Sequence, residues 1–170
     1  MTRIDVDKLK TPKDLPMGTV LVQHWCNSST FYQVVSSTDK SVTVTQIPSK
    51  QTRFEHEGGG TGYAYKMPDF ERLEKLYDKY KACCNEYGFD VLSNKATQQD
   101  YQNAHEIAQA KGKRFWDDYG DVYNNKDCLI RKRLMVKFTE DGFYIPGVMR
   151  GSYCGTMRLW NGEEISDYYN

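Results

Sequence analysis

Along Cys128 to Phe138, CLIRKRLMVKF, apolar and charged positions alternate with period two. Ile130, Leu134, Val136 and Phe138 fall on one face with only Lys132 between them, while Leu129, Arg131, Arg133, Met135 and Lys137 fall on the other. The spacing predicts a strand with a core side and a side that turns two arginines and a lysine outward. The same period runs through Gly18 to Cys26 (GTVLVQHWC), Thr30 to Ser36 (TFYQVVS) and Ser41 to Ile47 (SVTVTQI). Turns at Asn27-Ser28-Ser29 and Ser37-Thr38-Asp39-Lys40 make these three a predicted meander. Pro48 to Gly62 has no period and ends in Gly58-Gly59-Gly60-Thr61-Gly62, so the expectation there is a mobile loop. It lacks the GxxxxGK[ST] spacing and the helix start that a phosphate cradle needs. Gly62 to Lys66 reads as a short strand with Tyr63 and Tyr65 on one face.

The period then changes. After Asp69 as N-cap, Phe70, Leu73, Tyr77, Tyr80, Cys84 and Tyr87 recur at spacings of three and four, and Gly88 is a natural terminator. Beyond a loop from Phe89 to Ala96, Thr97-Gln98-Gln99-Asp100 resembles a capping box with Asp in place of Glu. Tyr101, Ala104, Ala108, Phe115 and Tyr119 then line a second predicted helix ending near Gly120, with Lys111 interrupting its seam. From Cys128 the strand period returns, with hairpin turns predicted at Asp141-Gly142 and Asn161-Gly162 and strands at Phe143 to Ile145, Tyr153 to Trp160 and Ile165 to Tyr169.

The pattern predicts an α+β chain: a small antiparallel β-barrel or sandwich interrupted by an antiparallel helical hairpin. Residues 1–16 form an arm along the surface, 17–66 and 128–170 the β domain, and 67–127 the insertion. Charge supports this division. The whole chain balances 23 Lys and Arg against 23 Asp and Glu, which removes any global pull toward nucleic acid or membrane. Locally, 1–66 carries +2, 67–127 carries −3 and 128–170 carries +1, so the middle differs from both ends in sign as well as in period. Hydrophobic residues are only 39% of the chain, but 13 tyrosines supply large amphipathic side chains in their place.

No run of 18 apolar residues occurs, and the start, MTRIDVDKLKTPKDLP, lacks the apolar stretch of a secretory signal. The expectation is a cytoplasmic protein that makes no use of a membrane. Cys26, Cys83, Cys84, Cys128 and Cys154 are odd in number and form no CxxC pair, which fits reduced thiols.

Few residues suggest catalysis. His105-Glu106 is followed by Gln109 where a metalloprotease helix needs its second histidine. His24 and Cys26, with Cys128 and Cys154, lack the short ligand spacing of structural zinc, so no metal or cofactor is expected. Cys83 and Cys84 lie in mid-helix, where burial explains them better than nucleophilicity. Asp117-Asp118 and Glu163-Glu164 are adjacent and so diverge in direction. The expectation is a protein that is not an enzyme. Arg131, Arg133, Lys137 and Arg158, with Trp25 and Tyr153 as stacking partners, form a candidate binding set that also takes in Lys132, Arg150, Tyr144 and Trp160. Arg131 and Arg133 have an alternative role, pairing with the acidic insertion and guarding a strand edge. Tyr77 and Tyr80 on the helical seam are candidates for protein recognition, and an exposed aromatic seam could also close on a second copy of the chain.

Gly18-Thr19-Val20-Leu21, Trp25, Phe31-Tyr32-Gln33-Val34-Val35, Ser41-Val42-Thr43-Val44, Arg131-Lys132-Arg133, Tyr153 and Leu159-Trp160-Asn161-Gly162 follow one another in an order that resembles small accessory β proteins encoded by bacteriophages and prophages. The resemblance covers Met17 to Ile47 and Cys128 to Asn170, and the helical segment departs from the short connection it would imply. It implies a compact β fold and a mobile-element origin. It further implies a non-enzymatic protein that binds and inhibits a bacterial defence component, such as a CRISPR or restriction nuclease complex, in the host cytoplasm. A nucleic-acid-binding β module is the alternative.

Overall fold

The computed structural model describes residues 9–88, 97–139, 142–148 and 155–169. The expectations for the loop at 89–96 and for Asp141, Arg150, Tyr153, Cys154 and the side chains of Phe138 and Phe143 lie outside the described residues. The chain divides into two compact units, one built from residues 1–69 with 131–170, the other from Phe70–Ile130. Together they make a mixed α+β protein.

In the β unit the predicted meander is present: β1 (Val20–Trp25), β2 (Ser28–Ser37) and β3 (Ser41–Ile47) are antiparallel neighbours. The first turn is Cys26-Asn27, one residue earlier than the sequence suggests, with Cys26 at φ 51°. The β6 strand (Arg131–Met135) adds beside β3, and β9 (Arg158–Leu159) beside β1, completing a five-stranded sheet. The β6 strand starts later than the period predicts because Cys128 and Leu129 close a 3-10 turn, and it stops at Val136, whose N–H donates to Lys40 O at 2.9 Å. Past that break, β7 (Lys137–Thr139) and β8 (Gly142–Tyr144) form a separate two-stranded ribbon.

A second sheet has the order β10-β5-β4, from β10 (Ile165–Tyr169), β5 (Thr61–Pro68) and β4 (Ser49–Gly58). The β4 strand occupies the stretch expected to be a loop. Gly59 and Gly60, at φ 62° and 88°, supply the two positive-φ positions that a tight hairpin needs. As an edge strand exposed along nearly its whole length, β4 has no core side, so no apolar period was there to read. Asn161-Gly162 likewise does not close a hairpin: it passes the chain from β9 in one sheet to β10 in the other. The β unit is thus sandwich-like, and among the described residues no sheet closes into a barrel.

One face of the large sheet, with Leu21, Tyr32, Val34, Val42 and Val44, buries against Leu15, Val136, Ile145 and Met157. Leu15 is 2% exposed, so the end of the expected surface arm is part of the core. Gln23 crosses this layer. Its Nε2 donates to Gly155 O at 3.1 Å and its Oε1 accepts from Val148 N at 3.0 Å, tying two loops to β1. A Cβ on Gly147 would overlap the Gln23 amide. Gly147→Ala is therefore expected to cost about 1–3 kcal/mol of stability by overpacking, read as a lower urea midpoint at unchanged slope.

In the helical unit, α1 (Phe70–Tyr87) ends at Gly88, φ 77°, where the sequence places the stop. Its buried stripe is Leu73, Leu76, Tyr80, Cys83, Cys84 and Tyr87, while Phe70 is exposed and Tyr77 only half-buried. The seam is thus rotated toward Leu76 and Cys83. The capping box forms as predicted: Thr97 N donates to Asp100 Oδ2 at 2.6 Å and Asp100 N to Thr97 Oγ1 at 3.2 Å. The expected second helix is two, α2 (Gln98–Ala110) and α3 (Phe115–Asn124). Gly112, φ 68°, ends α2 with bonds from Gly112 N to Gln109 O and from Lys113 N to Ala108 O, the glycine-dependent helix stop. Lys111 in the seam is where that stop shows in the sequence. No helix among the described residues is long and apolar enough to cross a membrane.

Candidate functional site

The binding set expected from the sequence does not assemble in one place. Arg131, Arg133 and Lys137 are exposed, and Arg133 Nε donates to Ser41 Oγ at 3.0 Å. Arg158 stands on β9, the opposite edge of the same sheet. Four strand spacings, roughly 19 Å, separate the two edges. Trp25 is 41% exposed, but it alternates with His24 and so lies on the other face of the sheet from Arg131, Arg133 and Arg158. Tyr80 is 2% exposed and belongs to the core of the helical unit rather than its surface. Two acidic side chains of that unit are met within it: Asp121 by Arg72 at 3.0 Å, and Glu86 by Lys113 at 2.7 Å and Tyr119 OH at 2.8 Å. The Lys113 ammonium and the Tyr119 hydroxyl hold the Glu86 carboxyl below its ordinary range. Arg131 and Arg133 make no ion pair among the described residues.

Two of the buried thiols are not poised to react. Burial pushes Cys83 up to about 12 and Cys128 up to about 11, the reverse of what a nucleophile needs. No group of His, Cys, Asp and Glu among the described residues is placed to hold a metal ion.

What the structure does bring together is a polar chain that the sequence did not reveal. His24, at the end of β1, lies directly across from Ser29 of β2. Ser29 Oγ is 2.8 Å from His24 Nδ1 and donates to Asp167 Oδ1 at 2.6 Å. Asp167, on β10 and 2% exposed, accepts at its other oxygen from Lys66 Nζ of β5 at 2.7 Å. The chain therefore pins the small sheet to the large one. Burial lowers the Lys66 ammonium, but its bonds to Asp167 and Tyr169 outweigh that and leave it raised. A signal existed: Ile165, Asp167 and Tyr169 share a strand face, so a carboxylate alternates in phase with two bulky residues.

His24 also borders a groove of about 400 Å³ along β9 and the turn after it. Arg158, Trp160, Asn161, Glu164 and Ser166 line it above a floor that includes Val22. Val22 pairs directly with Arg158 across the β1–β9 ladder, which puts His24 and Arg158 on one face as diagonal neighbours, roughly 7–8 Å apart. Trp160 is fixed by its indole N–H, which donates to Glu163 O at 2.7 Å, and by an edge contact with Phe31 at 6.0 Å between centroids. Glu164 is held by Arg53 at 3.0 Å, and its carboxyl lies below its ordinary range through Thr52 and Arg53.

A second surface lies in the helical unit. Trp116 is 45% exposed at the start of α3, and its ring contacts His105 at 5.4 Å and Tyr123 at 5.1 Å. Lys126 Nζ stands 4.3 Å over the Tyr123 ring. Sequence reasoning placed recognition on Tyr77 and Tyr80 because it followed the seam; Trp116 sits beside the seam residue Phe115 and so faces away from it. No family model matches the chain, and no curated protein or solved structure matches it either.

Proposed function

We propose that the protein is a non-enzymatic binding protein of phage or prophage origin that occupies a functional surface of a bacterial defence component, such as a nuclease complex, in the host cytoplasm. The origin and the class of target rest on the resemblance of the β strands. The mode of action rests on the Trp116 patch. A tryptophan left 45% exposed among fixed aromatic neighbours, with a lysine at its border, is the composition and geometry of an interface anchor. Beside it, the buried Nδ1 of His105 has no hydrogen-bond partner among the described residues.

A tagged pull-down from bacterial lysate after nuclease treatment is expected to retain a stoichiometric host protein. Trp116→Ala is expected to weaken that complex by about thirtyfold or more while keeping the helical circular dichroism. Material that disappears with nuclease would instead favour the alternative, a nucleic-acid-binding module acting through Arg131, Arg133 and Lys137, which project from β6 and β7 without ion pairs among the described residues. In that case affinity falls steeply with salt, and Arg131→Ala with Arg133→Ala abolishes it.

A further inference from the structure

The groove beside β9 offers a second chemistry, independent of the Trp116 patch. Most of its polar groups are committed. Asn161 Nδ2 donates to Glu163 Oε2 at 2.8 Å, and its Oδ1 accepts from Glu163 N at 3.0 Å. Glu164 is held by Arg53. Two groups are not. Among the described residues Arg158 makes no ion pair and the His24 ring is engaged through Nδ1 alone.

The engagement of His24 fixes its chemistry. Ser29 has one hydroxyl proton and gives it to Asp167, so its oxygen accepts from His24 Nδ1–H. Nε2 is then the atom left for the groove. It accepts a hydrogen bond from a phosphate monoanion or, when protonated, donates one to a dianion. The Asp167 charge, which would otherwise oppose an anion nearby, is met by Lys66. The guanidinium of Arg158 reaches the same space with a fork suited to phosphate oxygens. Trp160, fixed at both its N–H and its edge, supplies a rigid aromatic wall for a planar ring. The volume of about 400 Å³ lies in the range of small-molecule sites, roughly 300–1,000 Å³.

We infer that this groove binds a phosphorylated nucleoside, with the phosphate on Arg158 and His24 Nε2 and the base against Trp160. The chemistry is shared by a free mononucleotide and by the phosphorylated end of a single strand. Ser166 stands along the groove for a hydroxyl of the sugar.

The test is calorimetry and tryptophan fluorescence on the full chain with four probes: inorganic phosphate, adenosine, adenosine monophosphate and a short 5′-phosphorylated oligonucleotide. The nucleotide is expected to bind about tenfold or more tighter than either phosphate or adenosine, and to quench tryptophan emission. Arg158→Gln and His24→Ala are each expected to weaken it by about tenfold or more, while binding of the pulled-down host protein is unchanged. An oligonucleotide that binds well above the mononucleotide, with the same dependence on Arg158, identifies the source as a strand end; equal affinities identify a free nucleotide. Absence of saturable binding of both at millimolar concentration overturns the inference. So does affinity that ignores Arg158, or inorganic phosphate binding as tightly as the nucleotide.

Discussion

Phe115→Ala is expected to unfold the helical unit while the strands of the β unit keep their protection. Phe115 is fully buried, and its ring lies 5.6 Å from Tyr87, 6.5 Å from Tyr101, 6.5 Å from His105 and 5.8 Å from Tyr119, centroid to centroid. These partners come from all three helices, so one truncation removes the group on which they converge. The loss is about 3–5 kcal/mol, set against a usual total of about 5–15 kcal/mol for a whole domain. Native-state hydrogen exchange should show amides of α1, α2 and α3 losing protection together, with those of β1, β2 and β3 little changed. Phe115→Leu, which keeps most of the volume, should cost about 1.5 kcal/mol or less. A loss spread evenly over helices and strands would mean that the two cores are one cooperative unit.

The second large effect is expected at Asp167. Asp167→Ala leaves the Lys66 ammonium, whose side chain is only 15% exposed, without its carboxylate, and leaves the Ser29 hydroxyl without its acceptor. Removing one partner of a buried pair costs about 3–5 kcal/mol, and the partial exposure of Lys66 brings the expectation to about 2–4 kcal/mol. Removing both partners, as Lys66→Met with Asp167→Leu, should recover most of the loss, because no charge is then stranded. The pair also has a pH signature. Its ammonium is held above the ordinary lysine value of 10.5, so its contribution is fully present below that value and declines as pH rises through the higher folded value. Chemical denaturation between neutral pH and strongly alkaline pH should show this decline in the native protein and a flatter curve in Lys66→Met. Equal slopes in the two proteins would place the stabilisation elsewhere.

These two residues stand at opposite ends of what a reader of the sequence could see. Phe115 lies on the seam the helical period predicted, and the capping box at Thr97 and the stop at Gly88 were equally legible, because each is a local contract between a side chain and the adjacent backbone. Gly112 carries no clear stop signal in the sequence, since a glycine inside an otherwise periodic stretch is tolerated. The sequence around Asp167 shows only a strand residue. Its role depends on Ser29 and Lys66, distant in sequence and brought to it by two separate ladders. The candidate basic set shows the converse: Arg131 and Arg158 look alike in sequence, and the order of strands puts them at opposite edges.

The classes of element and their grouping are legible in the spacing of residues alone: strands of period two at both ends, helices of period three to four between them, and a change of charge sign at the junctions. Those features follow from burial on one face of a local element, which the spacing of apolar residues encodes directly. That β4 is a strand, that Asn161-Gly162 joins two sheets, that Trp116 faces outward and that His24 and Arg158 share a groove emerges only in three dimensions. Each of these depends on which strand or helix lies next to which, and a pairing between distant segments leaves no period in either one.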